Sequence, residues 1–128
     1  MSHLDAVKLL WLAGAGAVGT LARAGLSHLV HVTFPEFPWG TLAVNMVGCF
    51  LFGLVWSLSE GRLKIPPDVR FIVLTGFMGA FTTFSSYIFE VGMLAQDQRF
   101  GVAVGNLVFQ NVVGLLMLFA GLVLGKEV

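Results

Sequence analysis

Residues 75–87 read TGFMGAFTTFSSY. Two glycines, the pair Thr82-Thr83 and the pair Ser85-Ser86 stand in the middle of an apolar run from Val69 to about Leu94. Glycine weakens a helix, and hydroxyl side chains compete with it for backbone hydrogen bonds. A hydrocarbon core about 30 Å thick takes roughly 20 helical residues, so the run is long enough to cross a bilayer. The segment therefore reads as a membrane-spanning helix broken near its middle. Unwound backbone at that depth is tolerated only where protein buries it or it lines a cavity. Carbonyls freed at a break suit a cation, and a helix N-terminus favours an anion. Phe84 and Tyr87 fall near one face after the break. The positive edge of an aromatic ring can contact an anion without a full charge to trap it, although the same spacing suits packing into a neighbour.

Working outward, three further runs match the length of a span, at about 6–29, 39–58 and 101–124, beside this one at 69–94. The connectors are HVTFPEFP (31–38), EGRLKIPPD (60–68) and QDQR (96–99), rich in proline and charge. Proline stops helices and charges prefer water. The runs are continuous rather than alternating, which excludes a transmembrane β-barrel. Little chain is left over, so residues 1–128 read as a single all-α, four-helix membrane domain. The first run continues too far for a cleaved signal peptide.

Composition agrees. Of 128 residues, 57% are apolar and 11% charged, with a mean hydropathy of +0.90. A soluble domain averages roughly 45–50% apolar and about 25% charged, and so short a soluble chain could not hide the excess. Most soluble enzymes, DNA-binding modules and disordered tails are excluded. Seven basic residues balance seven acidic ones, so no net field invites nucleic acid. The lone Cys49 allows no intrachain disulfide. No phosphate-cradling loop, metal-ligand spacing or nucleophile triad is present, and His28 and His31 near the end of the first span read as interfacial. Four spans place both termini on the side of the middle loop. Lys8, Arg62, Lys64, Arg70 and Lys126 lie there, against Arg99 and, near the far end of the first span, Arg23. That bias favours a cytoplasmic location for the termini. Sixteen glycines, mostly inside spans, suggest close helix packing and assembly as a homo-oligomer, most simply a dimer.

Polar groups at membrane depth are costly and usually mark a path or a binding site. Arg23 sits roughly 25 Å from the start of the first span. It reads either as a snorkelling interfacial arginine or as a cation at a pore vestibule. Glu90, near the far end of the third span, is either an interfacial acid or a group at a wet entrance. Asn45 shares a face with Thr41, Gly48 and Phe52, and either bridges helices or belongs to a polar track. In the fourth span Asn106 and Gln110 share a face, while Asn111 is turned about 100° from Gln110. Some of these three should line a wet path or cross a helix interface.

Three blocks resemble the Fluc/CrcB family of fluoride channels: GTLAR (19–23), WGTLAVNMVG (39–48) and TGFMGAFTTFSS (75–86) with Glu90 following. Span number, chain length and block spacing agree, and the resemblance covers essentially the whole chain. It implies an antiparallel homodimer with two pores in the cell's inner (plasma) membrane, inserted in both orientations. It implies passive, selective fluoride export that relieves fluoride toxicity. It also implies a structural sodium ion at the dimer centre, held here by the backbone carbonyls of Gly79 and Thr82. The implied pore residues are Phe84, Tyr87, Asn45 and Arg23, with Glu90, with Ser85 and Thr83 in the hydroxyl-lined stretch, and with Asn111 from the fourth helix. Thr41 joins them through its shared face with Asn45. The chain departs from the family in having Tyr87 where phenylalanine is usual, Ile88 where serine is frequent, and Leu107 four residues before Asn111. The Tyr87 hydroxyl would either donate to fluoride or crowd the path. The alternative reading is a proton-coupled fluoride or small-ion transporter, for which Glu90 is the only acid within a span. A membrane subunit without transport is a third.

Overall fold

The computed structural model describes residues 3–128. It is all-helical: α1 (Ala6–Thr33), α2 (Trp39–Glu60), α3 (Pro67–Phe71), a π-helical stretch (Ile72–Met78), α4 (Gly79–Phe81), α5 (Phe84–Gln96) and α6 (Phe100–Glu127). Four helices are long and apolar enough to span a membrane, with α3 through α5 counting as one bent span, Pro67–Gln96. The chain is thus a multi-pass membrane protein. The helices overrun the apolar runs by up to four residues because their ends carry local stops and starts. Asp5 caps α1 by accepting from the Lys8 N–H at 2.8 Å. α1 ends ahead of Pro35, where Phe34 is non-helical. Pro67 occupies the first turn of α3, where its missing N–H is harmless.

The break in the third span falls at Thr82 and Thr83, both in extended conformation. The two threonines divide the work. The Thr82 N–H and hydroxyl both donate to the Met78 carbonyl at 3.0 Å, closing the first half. The Thr83 hydroxyl accepts from the Ser86 N–H at 3.2 Å, capping α5. The π-helical stretch before the break has no counterpart in the sequence pattern.

Small residues set the packing. α1 runs along the first half of the broken span. A β-carbon at Gly19 would overlap the Phe77 carbonyl, and one at Gly76 would come within 2.9 Å of the Ala15 side chain. On α2, Gly48 leaves the space that the Thr82 methyl fills. α2 and α6 run in the same direction, with Gly53 against Leu118 and Leu122, and Gly121 against Phe50 and Leu54. Many glycines that suggest assembly are thus used within one chain. Val44, Leu74, Met78 and Phe81 form a small core, with Phe81 stacked on Phe77 at 5.7 Å. Most other large apolar side chains face outward, as lipid allows.

At the end carrying both termini, Lys8, Arg62 and Arg70 each have a polar partner. Lys8 is buried and bonds Asp68 at 2.9 Å and the His3 carbonyl at 3.0 Å. Arg70 pairs with Glu60 and lies 4.4 Å from the Trp56 ring centroid. Arg62 donates to the Val128 carbonyl group.

Candidate functional site

The break is held from two sides. From α2, the Asn45 side chain meets both backbone groups of Thr83. Its Oδ1 accepts from the N–H at 2.8 Å and its Nδ2 donates to the carbonyl at 3.0 Å. In an unbroken helix the Thr83 N–H would serve the Gly79 carbonyl, so Asn45 releases that carbonyl. From α1, Arg23 Nε donates to the Ala80 carbonyl at 2.9 Å. This is the carbonyl that Phe84 would occupy in a continuous helix. Arg23 is therefore tied to the break and does not simply snorkel.

A line of amides continues from Asn45. Its Nδ2 also donates to Gln110 Oε1 at 2.9 Å, and Gln110 Nε2 donates to Asn106 Oδ1 at 3.0 Å. Gln110 and Asn106 are both buried. One turn back on α2, the Thr41 hydroxyl donates to Glu90 Oε1 at 2.6 Å. Glu90 Oε2 and Asn106 Nδ2 are buried without a hydrogen-bond partner among the described residues. The offset of 65 residues at the Asn45–Gln110 contact places Asn106 level with Thr41. A buried polar chain with free groups at its end suits a guest that carries or accepts hydrogen bonds.

The aromatic pair comes together after the break. Phe84 and Tyr87 lie edge to face, with centroids 5.8 Å apart and planes at 70°. Phe84 is 74% exposed on the protomer, whereas the Tyr87 side chain is buried. The Tyr87 hydroxyl donates to the Leu107 carbonyl at 3.2 Å and accepts from Asn111 Nδ2 at 2.9 Å. Within the protomer it is committed and extends no free donor into the path. Ser85 is exposed and makes no side-chain hydrogen bond among the described residues.

Two cavities frame these groups. A groove of about 440 Å³ opens on the protomer surface, and its walls include Asn45, Thr83, Phe84, Tyr87, Gln110 and Asn111. A cavity of about 360 Å³ brings together Arg23, His28, His31, Thr41, Ser86 and Glu90. Thr83 lines both. The second cavity holds the Arg23 guanidinium and the Glu90 carboxyl together. The groove holds amides and an aromatic pair but no charged side chain. Of the site residues expected from sequence, Arg23, Thr41 and Glu90 share the second cavity. Asn45, Thr82, Thr83, Phe84, Tyr87 and Asn111 share the groove, Gly79 lies three residues before the break at Thr82, and Ser85 lines neither cavity. Gln110 and Asn106, expected from sequence to line a wet path or cross a helix interface, do the latter. Their four-residue spacing is the signal the sequence offers, and Gln110, rather than Asn111, is the α6 group that reaches Asn45.

Residues 10–122 match the family model described as CrcB-like protein, Camphor Resistance (CrcB). The chain is 54% identical over 120 residues to a fluoride-specific ion channel FluC of Solidesulfovibrio magneticus, covering 93% of this chain and 96% of the relative. It is 51% identical to the protein of that name from Nitrosococcus oceani, with the same coverage. It is 40% identical to the one from Salinibacter ruber, over 90% of this chain and 86% of that one.

Proposed function

Because the chain belongs to the CrcB-like protein, Camphor Resistance (CrcB) family, whose relatives are named ion channels and not enzymes, we propose that it is a fluoride channel of the cell's plasma membrane that lets fluoride leave the cytoplasm passively. The observation that carries this reading is the groove at the broken helix, where Asn45, Gln110 and the Phe84–Tyr87 pair converge without a charged side chain. Fluoride is small and strongly hydrated. A pore must replace its water with donors and positive ring edges, at several weak sites from which the ion can leave. An inside-negative membrane potential drives an anion outward, by about 2.3 kcal/mol per 100 mV, so export needs no coupling to another gradient.

The groove is open along one side of the protomer. Lipid cannot satisfy the Asn111 side-chain oxygen, the exposed Ser85 hydroxyl or the Thr82 carbonyl. A second copy of the chain closes it in our reading, an antiparallel homodimer with two pores, inserted in both orientations. The residues at the break fit a structural sodium ion at the dimer centre. Asn45 takes the helical donor of the Gly79 carbonyl, and the extended Thr82 turns its own carbonyl out of the helix. These hard oxygens would hold the ion, which supplies a fixed positive charge and ties the two copies together.

Expression in a bacterium lacking its own fluoride export should restore growth on fluoride. Cells that stay sensitive with the protein present in their membranes would contradict the reading. Phe84→Ile keeps an apolar side chain and removes the ring edge. It should slow fluoride flux about tenfold, the equivalent of about 1.4 kcal/mol at the barrier, as measured with purified protein in vesicles.

A further inference from the structure

The Tyr87 hydroxyl, Asn111 Nδ2 and the Leu107 carbonyl form a closed triangle, with edges of 2.9, 2.8 and 3.2 Å. Asn111 Nδ2 donates to both the phenol oxygen and the carbonyl. The phenol proton is used as well. Nothing in the triangle is left to bind an ion, although Asn111 itself is exposed and lines the groove. An exposed amide at membrane depth is expensive, and this one is directed at its own protomer. What it fixes is the far end of a ring whose edge-to-face partner is Phe84.

We infer that Asn111 is a positioning residue for ion passage. It tethers the Tyr87 hydroxyl to α6 and thereby holds the ring's edge in register with Phe84, and the hydroxyl is an anchor and not an ion ligand. This rests on the channel reading above. A phenylalanine at this position would be held by packing alone. The tyrosine adds a hinge at its tip, and the amide locks that hinge.

The test is a double-mutant cycle on fluoride efflux. If Asn111 acts through the hydroxyl, Asn111→Leu slows efflux about tenfold in the Tyr87 background. In the Tyr87→Phe background, where the anchor is already gone, the two substitutions are non-additive, and the double variant is no slower than the slower single one. Equal slowing in both backgrounds would overturn the inference, because Asn111 would then act on the ion or on the fold directly. So would a loss of the assembly, seen by size exclusion, as the sole consequence of Asn111→Leu.

A second arm does not depend on flux. The chain has one tyrosine, so 3-fluorotyrosine incorporation reports on this ring alone by fluorine NMR. Asn111→Leu should shift the resonance and speed ring reorientation, and an unmoved resonance would refute the tether. If the wild-type protein passes no fluoride, the channel reading fails, while this resonance still decides whether the amide holds the ring.

Discussion

Asn45→Leu should reduce fluoride efflux at least about a hundredfold while leaving the four helices in place. The substitution is close in volume but removes three hydrogen bonds at once, two to the Thr83 backbone and one to Gln110. A buried backbone group left unpaired costs about 1–3 kcal/mol. Thr83 would lose partners for two of them, and a hundredfold in rate corresponds to about 2.7 kcal/mol. The break would close toward continuous helix or shift its register, and either outcome moves Phe84 and Tyr87. Asn45→Asp separates two parts of this role. It keeps an acceptor for the Thr83 N–H but loses both donors and places negative charge in the groove, so it too should conduct poorly although the first half of the clamp survives. Helical content by circular dichroism and flux from vesicles check the pair. Near-normal flux in Asn45→Leu would show that the clamp is dispensable.

Gly121→Leu should abolish recovery of folded protein. Gly121 and Gly53 form a reciprocal close approach between α6 and α2. A β-carbon at Gly121 would overlap the Phe50 carbonyl and lie 2.8 Å from the Leu54 nitrogen, and one at Gly53 would overlap the Leu118 carbonyl. These neighbours are backbone and cannot rotate away, so the helices must separate along their whole shared length. Overpacking typically costs about 1–3 kcal/mol and more where backbone must move, which is a large share of a total stability of about 5–15 kcal/mol. Separation would also pull Asn45 from Gln110. At Gly14, by contrast, a β-carbon would meet nothing within 4 Å. Gly14→Ala should therefore be tolerated, with up to about 1 kcal/mol of helix propensity gained. Size-exclusion profiles in detergent distinguish the two, and a monodisperse Gly121→Leu would refute the packing account.

The break is legible in the sequence because its chemistry is local. Thr82 and Thr83 bond to residues three and four positions away, and such hydroxyls compete with a helix wherever they stand. The four spans are legible for the same reason, from uninterrupted apolar length. What holds the break is not legible, since Asn45 and Arg23 reach it across 38 and 57 residues of chain. Nor can the choice between Gln110 and Asn111 be read. They differ by about 100° on one helix, and only the docking of α6 on α2 decides which meets Asn45. Glycine spacing shows close approach but not to what, and here Gly19, Gly48, Gly53 and Gly121 serve contacts within the chain. The π-helical stretch IVLTGFM leaves no mark, because its apolar residues fit an α-helix equally well.

One small chain, by breaking a helix and lining the break with amides and ring edges, makes a path for fluoride down its own gradient in the reading proposed above. Its most direct test is purified protein in liposomes loaded with potassium fluoride, with release started by adding valinomycin. The account predicts rapid fluoride release with no imposed pH gradient, and no comparable release of chloride from vesicles loaded with potassium chloride. No fluoride release, equal release of chloride, or release that requires a proton gradient would contradict it.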